Sequence, residues 1–378
     1  MYAFDDYAVM IADPVRGGAY LAAIRENVRP GCVVADIGAG PGVLGVYAAT
    51  LGARRVFLVE PDASVDAALA FASENGVLDR IAIIRGLSTD ITLPERADFI
   101  VSDLRGVLPL FGDHLRAAAD MRERHLAPGG LCAPLRDTIS SALVEDAELH
   151  GRTVGGWSRV PSTVKHDTLT ALLANRWYRT RATAEQMLTD PACWATIDYA
   201  EAPPPFDGRW SSVVTRDGVA HGILLWFDTE LTSGTGFSNS PWAPRALYGQ
   251  AYFPFAEPMT LREGDVVSGR VRAIRSGEEY EWCWTARLAR HDGAVVTVSH
   301  ASLLGKVLLP ESLERRRGSY VPRRALEAEM LMVLLEQADG TRDLAALARL
   351  LVARFPAKFS GLPNALNFVA RHEHLWIT

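Results

Sequence analysis

ADIGAGPGVLG, residues 35–45, decides how this chain is read. An acidic residue, Asp36, closes an apolar run, and Gly38, Gly40 and Gly42 follow at alternate positions before a helical stretch begins. Glycines so placed turn a strand into a helix with no side chains in the bend, so a ligand can lie across the backbone there. A G-x-G-x-x-G dinucleotide turn is the competing reading, but the spacing here is G-x-G-x-G. Around the turn, VVADIG (33–38), RRVFLVE (54–60), IAIIRG (81–86) and ADFIVSD (97–103) are short, branched and almost wholly apolar, as strands covered on both faces should be. GVLGVYAATLG and ASVDAALAFASENG between them have helical spacing and stop at glycine. Residues 1–133 are therefore expected to form a Rossmann-like α/β domain, a doubly wound parallel sheet.

From Leu131 the pattern turns to antiparallel β, and residues 134–312 read as a barrel or sandwich with hairpin signals at Asp217-Gly218 and Asp292-Gly293. Residues 164–191 interrupt it with a helical piece, ATAEQML, which reads equally as a projecting arm or a surface loop. A basic connector, ERRRGSYVPRR (314–324), leads to a third segment, 323–378. There a helix over Ala325–Ala338, a break at Asp339-Gly340, helices starting near Thr341 and Pro363, and the strand-like LWIT suggest a small winged-helix-like module.

The 378 residues are 48% hydrophobic, enough for more than one core. Lys and Arg number 39 against 45 Asp and Glu, a net charge of −6, so no overall basic field argues for nucleic acid as a partner. Cys32, Cys132, Cys193 and Cys283 form no CxxC pair and read as reduced thiols. His372-x-His374 lacks a third ligand nearby, so no metal is expected. The opening MYAFDDYAVM carries aspartates where a secretory signal is basic, and no run reaches the ~18 apolar residues of a membrane span. The expectation is a cytoplasmic protein with no membrane partner.

Glu60 ends the second strand, where a carboxylate can accept both hydroxyls of a ribose. Joined to Asp36, the glycine turn and the end of ADFIVSD, it points to S-adenosylmethionine (SAM) as cofactor.

Over most of the first 305 residues the sequence resembles the protein arginine methyltransferases. The resemblance rests on YAFDDYA, MIADPVRG, DIGAGPG, FLVEP, HLAPGGLCAPLRDTISSALVED and the run from VAHGILLWFDTEL through GFSNSPWAPRALYGQAYFPF. It implies that Arg16 holds the SAM carboxylate, that Met10 lies against the sulfonium and substrate side, and that Tyr7 lines the acceptor pocket. It also implies an adenine contact at Ser88 and Thr89, and it sets residues 164–191 where the family has its dimerisation arm, hence a homodimer.

The acceptor loop departs from the family. Where two glutamates are expected to grip a guanidinium, VSDLRGVLPLFGDHL has Asp103 and Gly112, with Asp113 adjacent, and the family's Thr-His-Trp becomes Ala246-Leu247-Tyr248. A guanidinium has a pKa above about 12 and must be localised and relieved of a proton before it attacks a methyl group. Losing one carboxylate would cost roughly 3 kcal/mol at an effective dielectric near 20. The expected reaction is therefore methyl transfer to a nitrogen or oxygen less basic than arginine, on a peptide or small molecule of specialised metabolism. Asp103 is the catalytic candidate. His114 is a candidate base or orienting group, and Trp242 and Tyr248 are pocket walls or core aromatics. The tail faintly resembles modules that hold leader peptides. The alternative is a non-catalytic scaffold that keeps the fold and binds a partner.

Overall fold

The alternation around Gly38 builds a five-stranded parallel sheet. The computed structural model describes residues 3–161, 163–277, 279–290, 293–372 and 375. Two helices come first. α1 (Phe4–Ala12) buries no residue, whereas α2 (Arg16–Asn27) buries Tyr20, Ala23 and Ile24. Asp13 starts α2 by accepting the backbone N–H groups of Val15 and Arg16, each at 2.8 Å. Then β1 (Val33–Ile37), α3 (Val43–Thr50), β2 (Arg55–Val59), α4 (Ala67–Glu74), β3 (Ile81–Ile84), β4 (Ala97–Ser102), α5 (His114–Asp120) and β5 (Leu126–Ala133) complete the Rossmann-like part. The strand order is β3-β2-β1-β4-β5. Leu131–Ala133, read above as entering the antiparallel region, belongs to β5 and pairs parallel with β4.

The antiparallel part has two sheets. β6 (Arg136–Val144), α6 (Ala147–Thr153), α7 (Asp167–Ala174), β7 (Tyr178–Thr180), β8 (Ala192–Asp198), β9 (Asp207–Val213), β10 (Gly218–Thr232), β11 (Thr235–Ser238), β12 (Gln250–Leu261), β13 (Val266–Ser276), β14 (Glu279–Ala289) and β15 (Val295–Ala301) follow in order. One sheet runs β7-β12-β10-β6-β8, with β11 on β10, and the other β15-β14-β13-β9. Asp217-Gly218 therefore makes no hairpin. It carries the chain from β9 in one sheet to β10 in the other. β14 and β15 do pair as neighbours, although Asp292 of that connection lies outside the described residues.

ATAEQML is not a helix. Only Ala184–Gln186 makes a single 3-10 turn, after which Met187 bridges to Val144. Met187 and Leu188 are both buried in different clusters, which suits extended backbone with side chains on opposite sides. The helix in this interruption is α7, DTLTALLA.

Met1–Val307 form one compact unit and Leu308–Thr378 another. The second holds α8 (Pro310–Glu314), α9 (Leu326–Gln337), α10 (Leu344–Arg354) and α11 (Leu362–Arg371) around Met330, Leu334, Leu347, Leu351 and Val369. Asp343 caps α10 by accepting the N–H of Ala346 at 2.6 Å. His374 and most of LWIT lie outside the described residues, and His372 Nδ1 sits 2.8 Å from the Phe368 carbonyl oxygen. Among the described residues no helix is long and apolar enough to cross a membrane, and no group of three His, Cys, Asp or Glu is placed to hold a metal ion.

Candidate active site

Strand order reverses between β1 and β4, and at such a switch the carboxyl ends of the strands leave a crevice. Here it is a cavity of about 580 Å³, lined by Tyr7, Met10 and Arg16 from the N-terminal helices, Asp36 and Gly38 from the first turn, Glu60 and Asp62 from the second, and Asp103 to Arg105 after β4. Gly38, Gly40 and Gly42 have φ of +71°, +50° and +77°, a region that side chains disfavour. The chain also closes on all three, Gly42 against Ala68 and Leu58. A Cβ on Gly40 would lie 2.5 Å from the Tyr7 ring, and one on Gly38 2.4 Å from a Leu104 methyl.

Two carboxylates brace the turn. Asp36, 3% exposed, accepts the N–H of Gly45 at 2.8 Å. Burial pushes its carboxyl up to about 7 against the pull of that N–H, and Glu60 adds to the rise. Glu60 accepts the N–H of Gly40 at 2.9 Å and that of Asp62 at 3.0 Å.

The far wall is a closed ionic network. Asp103 Oδ2 accepts from Arg16 Nε at 2.6 Å and from the Tyr248 hydroxyl at 2.5 Å, and Oδ1 accepts from Arg105 Nε at 3.1 Å. Arg105 donates onward to Asp137 at 2.9 Å, to Thr229 at 2.6 Å and to the Tyr20 hydroxyl at 2.6 Å. Its guanidinium also faces the rings of Phe227 and Phe237, 5.4 Å from each centroid. Asp137 accepts from the Tyr199 hydroxyl at 2.5 Å, which lies 2.7 Å from His114 Nε2. Two arginines thus neutralise two aspartates. Burial alone would raise the Asp103 carboxyl, but Arg16 and Arg105 outweigh it and hold it down to about 2.

Comparison with known proteins places this geometry. The model of the arginine methyltransferase oligomerization subdomain matches residues 136–281, and that of ribosomal protein L11 methyltransferase (PrmA) matches 19–133. Protein arginine N-methyltransferase 1 of Schizosaccharomyces pombe is 28% identical over 286 residues, 71% of this chain and 84% of that protein. Over most of its length the chain is similar to the protein arginine methyltransferases. Protein arginine N-methyltransferase 6 of Danio rerio is 29% identical over 73% of this chain and 85% of its own length. In fold, the chain matches the Trypanosoma brucei PRMT1 enzyme–prozyme complex with AdoHcy at a TM-score of 0.72 and 20% identity, over 79% of this chain and 98% of that one. Protein arginine methyltransferase 10 of Arabidopsis thaliana matches at 0.69, with the same identity and coverage. With these matches the chain is a SAM-dependent methyltransferase.

The acceptor side departs from what the sequence predicts. The structure brings Tyr7, Met10, Arg16, Asp36, Gly38, Glu60 and Asp103 to one cavity. It does not bring the other candidates there. His114 is buried behind the loop on Tyr199, and burial followed by the charge of Arg105 pulls it down to about 3, so the role of general base at the cavity is withdrawn. Asp113 pairs with Arg275 at the surface and is not an acceptor-site acid. Tyr248 packs on Phe227 and Phe237 and reaches the site only through Asp103. Trp242, 49% exposed, leans on Trp226 and does not line the cavity. Ser88 and Thr89 do not line it either. The Ser88 carbonyl accepts from Arg124, and the Thr89 hydroxyl bonds Asp90.

Arg105 escaped the sequence reading. The signal was there, since a lone arginine inside the apolar LRGVLPLF, with Asp137 the one acidic residue of β6, is a pair of complementary charges that each need a buried partner.

Proposed function

We propose that this SAM-dependent methyltransferase methylates a neutral nitrogen or oxygen rather than a guanidinium. One observation carries the reading: the carboxylate at the acceptor wall, Asp103, is already saturated by the chain's own guanidinium groups, Arg16 and Arg105. An incoming arginine would have to displace a buried ion pair to reach it. The carboxyl held near 2 takes up no proton at neutral pH, so Asp103 positions Arg16 and Tyr248 instead of acting as a base.

The cavity suits the donor. Its volume lies within the roughly 300–1,000 Å³ of small-ligand sites, and it sets Gly38 of the turn beside the carboxylates of Asp36, Glu60 and Asp62. SAM, when bound, supplies a methyl group already activated on a sulfonium. Glu60 is proposed to take the ribose hydroxyls, Arg16 the carboxylate of the amino-acid end, Asp36 to stabilise its positive charges, and Tyr7 and Met10 to cover the reacting end. The acceptor gains the methyl group and its surplus proton leaves to water, so an amine that is neutral beforehand needs no base in the wall, whereas an amide or hydroxyl acceptor gives up its proton to solvent as the bond forms.

Within this reading the substrate is a peptide or small molecule of specialised metabolism, with the C-terminal helical unit as a peptide-holding element. The active form is proposed to be a homodimer, for which the arm offers exposed Leu169 and Trp177, whereas Met187, 5% exposed, is committed to its own chain. The saturated Asp103 also favours a second reading, a non-catalytic partner protein.

One experiment separates these. The protein is incubated with methyl-labelled SAM and, in parallel, arginine-rich peptides and peptides or small molecules bearing amine, amide and hydroxyl groups. Mass spectrometry is expected to find label on the latter. Prompt arginine methylation overturns the acceptor reading. Absence of calorimetric binding of SAM and of S-adenosylhomocysteine (SAH) overturns the donor site, and binding without transfer to any acceptor supports the partner reading.

A further inference from the structure

Arg179, Arg181 and Arg245 lie near one another. Arg179 and Arg181 both donate to the Leu247 carbonyl oxygen, Arg181 at 2.9 Å. Arg181 and Arg245 line one small cavity of about 200 Å³. None of the three has a carboxylate within ion-pair distance among the described residues, although Arg16, Arg54, Arg124 and Arg216 of the same unit all do. Burial, then Arg245 and Arg179, lowers the proton affinity of Arg181. Asp13 opposes that from a distance, and its Oδ1 already caps α2.

The cavity is built rather than incidental. Its buried walls, Asn239 and Gln250, are fixed by their own hydrogen bonds. Gln250 donates to the Asn239 carbonyl at 2.7 Å and accepts from Ala182 N–H at 2.9 Å, and Asn239 accepts from Phe227 N–H at 2.8 Å. Thr183 and Ser240 add hydroxyls to the lining. Planar guanidinium forks on a rigid polar floor match the two-oxygen edge of a carboxylate or phosphate, and gathering like charges is favourable only when an anion relieves them.

We propose that this cavity binds an oxyanion, a carboxylate or phosphate group carried by the methyl acceptor. Leu247 is followed by Tyr248, whose hydroxyl bonds Asp103 at the wall of the methyl-transfer cavity. The loop that carries the anion site therefore also braces Asp103 at the acceptor wall, and a substrate anchored by its anionic group is held with its nucleophile to one side. Assigning the anion to the acceptor rests on the methyltransferase reading above, whereas anion binding itself does not.

The test is calorimetry of the full chain at low ionic strength with sodium phosphate and, separately, sodium malonate, on wild type, R181Q/R245Q, R181K/R245K and R287Q. SAH is titrated into the same samples. Wild type is expected to bind at least one anion with a dissociation constant of about 1 mM or tighter, and the tighter of the two identifies the anion class. R181Q/R245Q should weaken it at least tenfold, the double lysine variant less, and R287Q not at all. SAH binding should be unchanged throughout. If the double glutamine variant does not melt cooperatively, R245Q alone on its exposed loop gives the reading, with at least a threefold loss. Wild type binding neither anion, unchanged affinity in the folded glutamine variants, or equal loss in R287Q would each overturn the inference. So would a wild type that takes no anion but loses its dimer on R181Q/R245Q, since the arginines would then serve a second copy. Failure of SAH to bind wild type, with anion binding intact, would strike the donor reading alone.

Discussion

Replacing Arg105 by Met keeps an unbranched apolar stem but removes the guanidinium and its charge from the centre of the network. Asp137, wholly buried, then faces only the Tyr199 hydroxyl, and Thr229 and Tyr20 each lose a partner. Breaking a buried pair on one side costs about 3–5 kcal/mol, because the remaining charge stays out of water. At roughly 2 °C per kcal/mol for a chain of this size, the melting temperature should fall by about 6–10 °C. Arg105→Met/Asp137→Asn removes both charges and should recover at least half of that fall, so the double-mutant cycle closes with a coupling of about 1.5 kcal/mol or more. Scanning calorimetry on the four proteins decides it. A drop of less than about 2 °C in Arg105→Met, or a double variant that loses the sum of the two single losses, would refute the claim that this pair holds the junction.

Four further outcomes follow from the same geometry. SAM affinity should be flat above about pH 7 and fall by up to about tenfold per pH unit below it, because a cationic ligand must expel the proton that Asp36, raised to about 7, then carries; SAH, without the sulfonium charge, should show a shallower profile by calorimetry. Glu60→Ala should weaken SAM binding by roughly 1.5–3 kcal/mol, the scale of hydrogen bonds to charged groups, and an unchanged dissociation constant would place the ribose elsewhere. Gly112→Glu should lower the melting temperature slightly, since φ there is +49° and a left-handed residue costs about 1–2 kcal/mol, while the space around its Cβ is open; no arginine-peptide methylation should appear in mass spectra, because Asp103 stays tied to Arg16 and Arg105. Light scattering should give wild type near twice 41.2 kDa and Leu169→Glu/Trp177→Glu near 41.2 kDa.

The parts readable from sequence are those fixed by short-range pattern. Period and composition located the parallel strands, and the positions of Asp36 and Glu60 at strand ends put both on the cavity with no tertiary information. What escaped depends on contacts between distant segments. Arg105 meets Asp137 32 residues on and Thr229 124 residues on, and no local window shows that Asp103 is thereby spent. His114 looked available because its loop position is polar, yet burial against Tyr199 removes it from the site. ATAEQML has helical propensity throughout, but Met187 and Leu188 each have an apolar cluster to enter on opposite sides, and tertiary burial overrides the local preference.

The Arg105–Asp137 contact joins the loop after β4 to the first strand of the antiparallel part, so the arginine that ties up Asp103, and with it the proposed choice of nucleophile, also bolts the two halves together. For anyone assembling chimaeras, the halves are therefore not interchangeable parts: a Rossmann-like half bearing arginine at 105 needs a partner half bearing aspartate at 137, and either half made alone exposes a buried charge. The same coupling constrains descent. A lineage changing its acceptor by altering Arg105 must acquire a matching change across the joint, so the two positions are expected to be inherited as a pair.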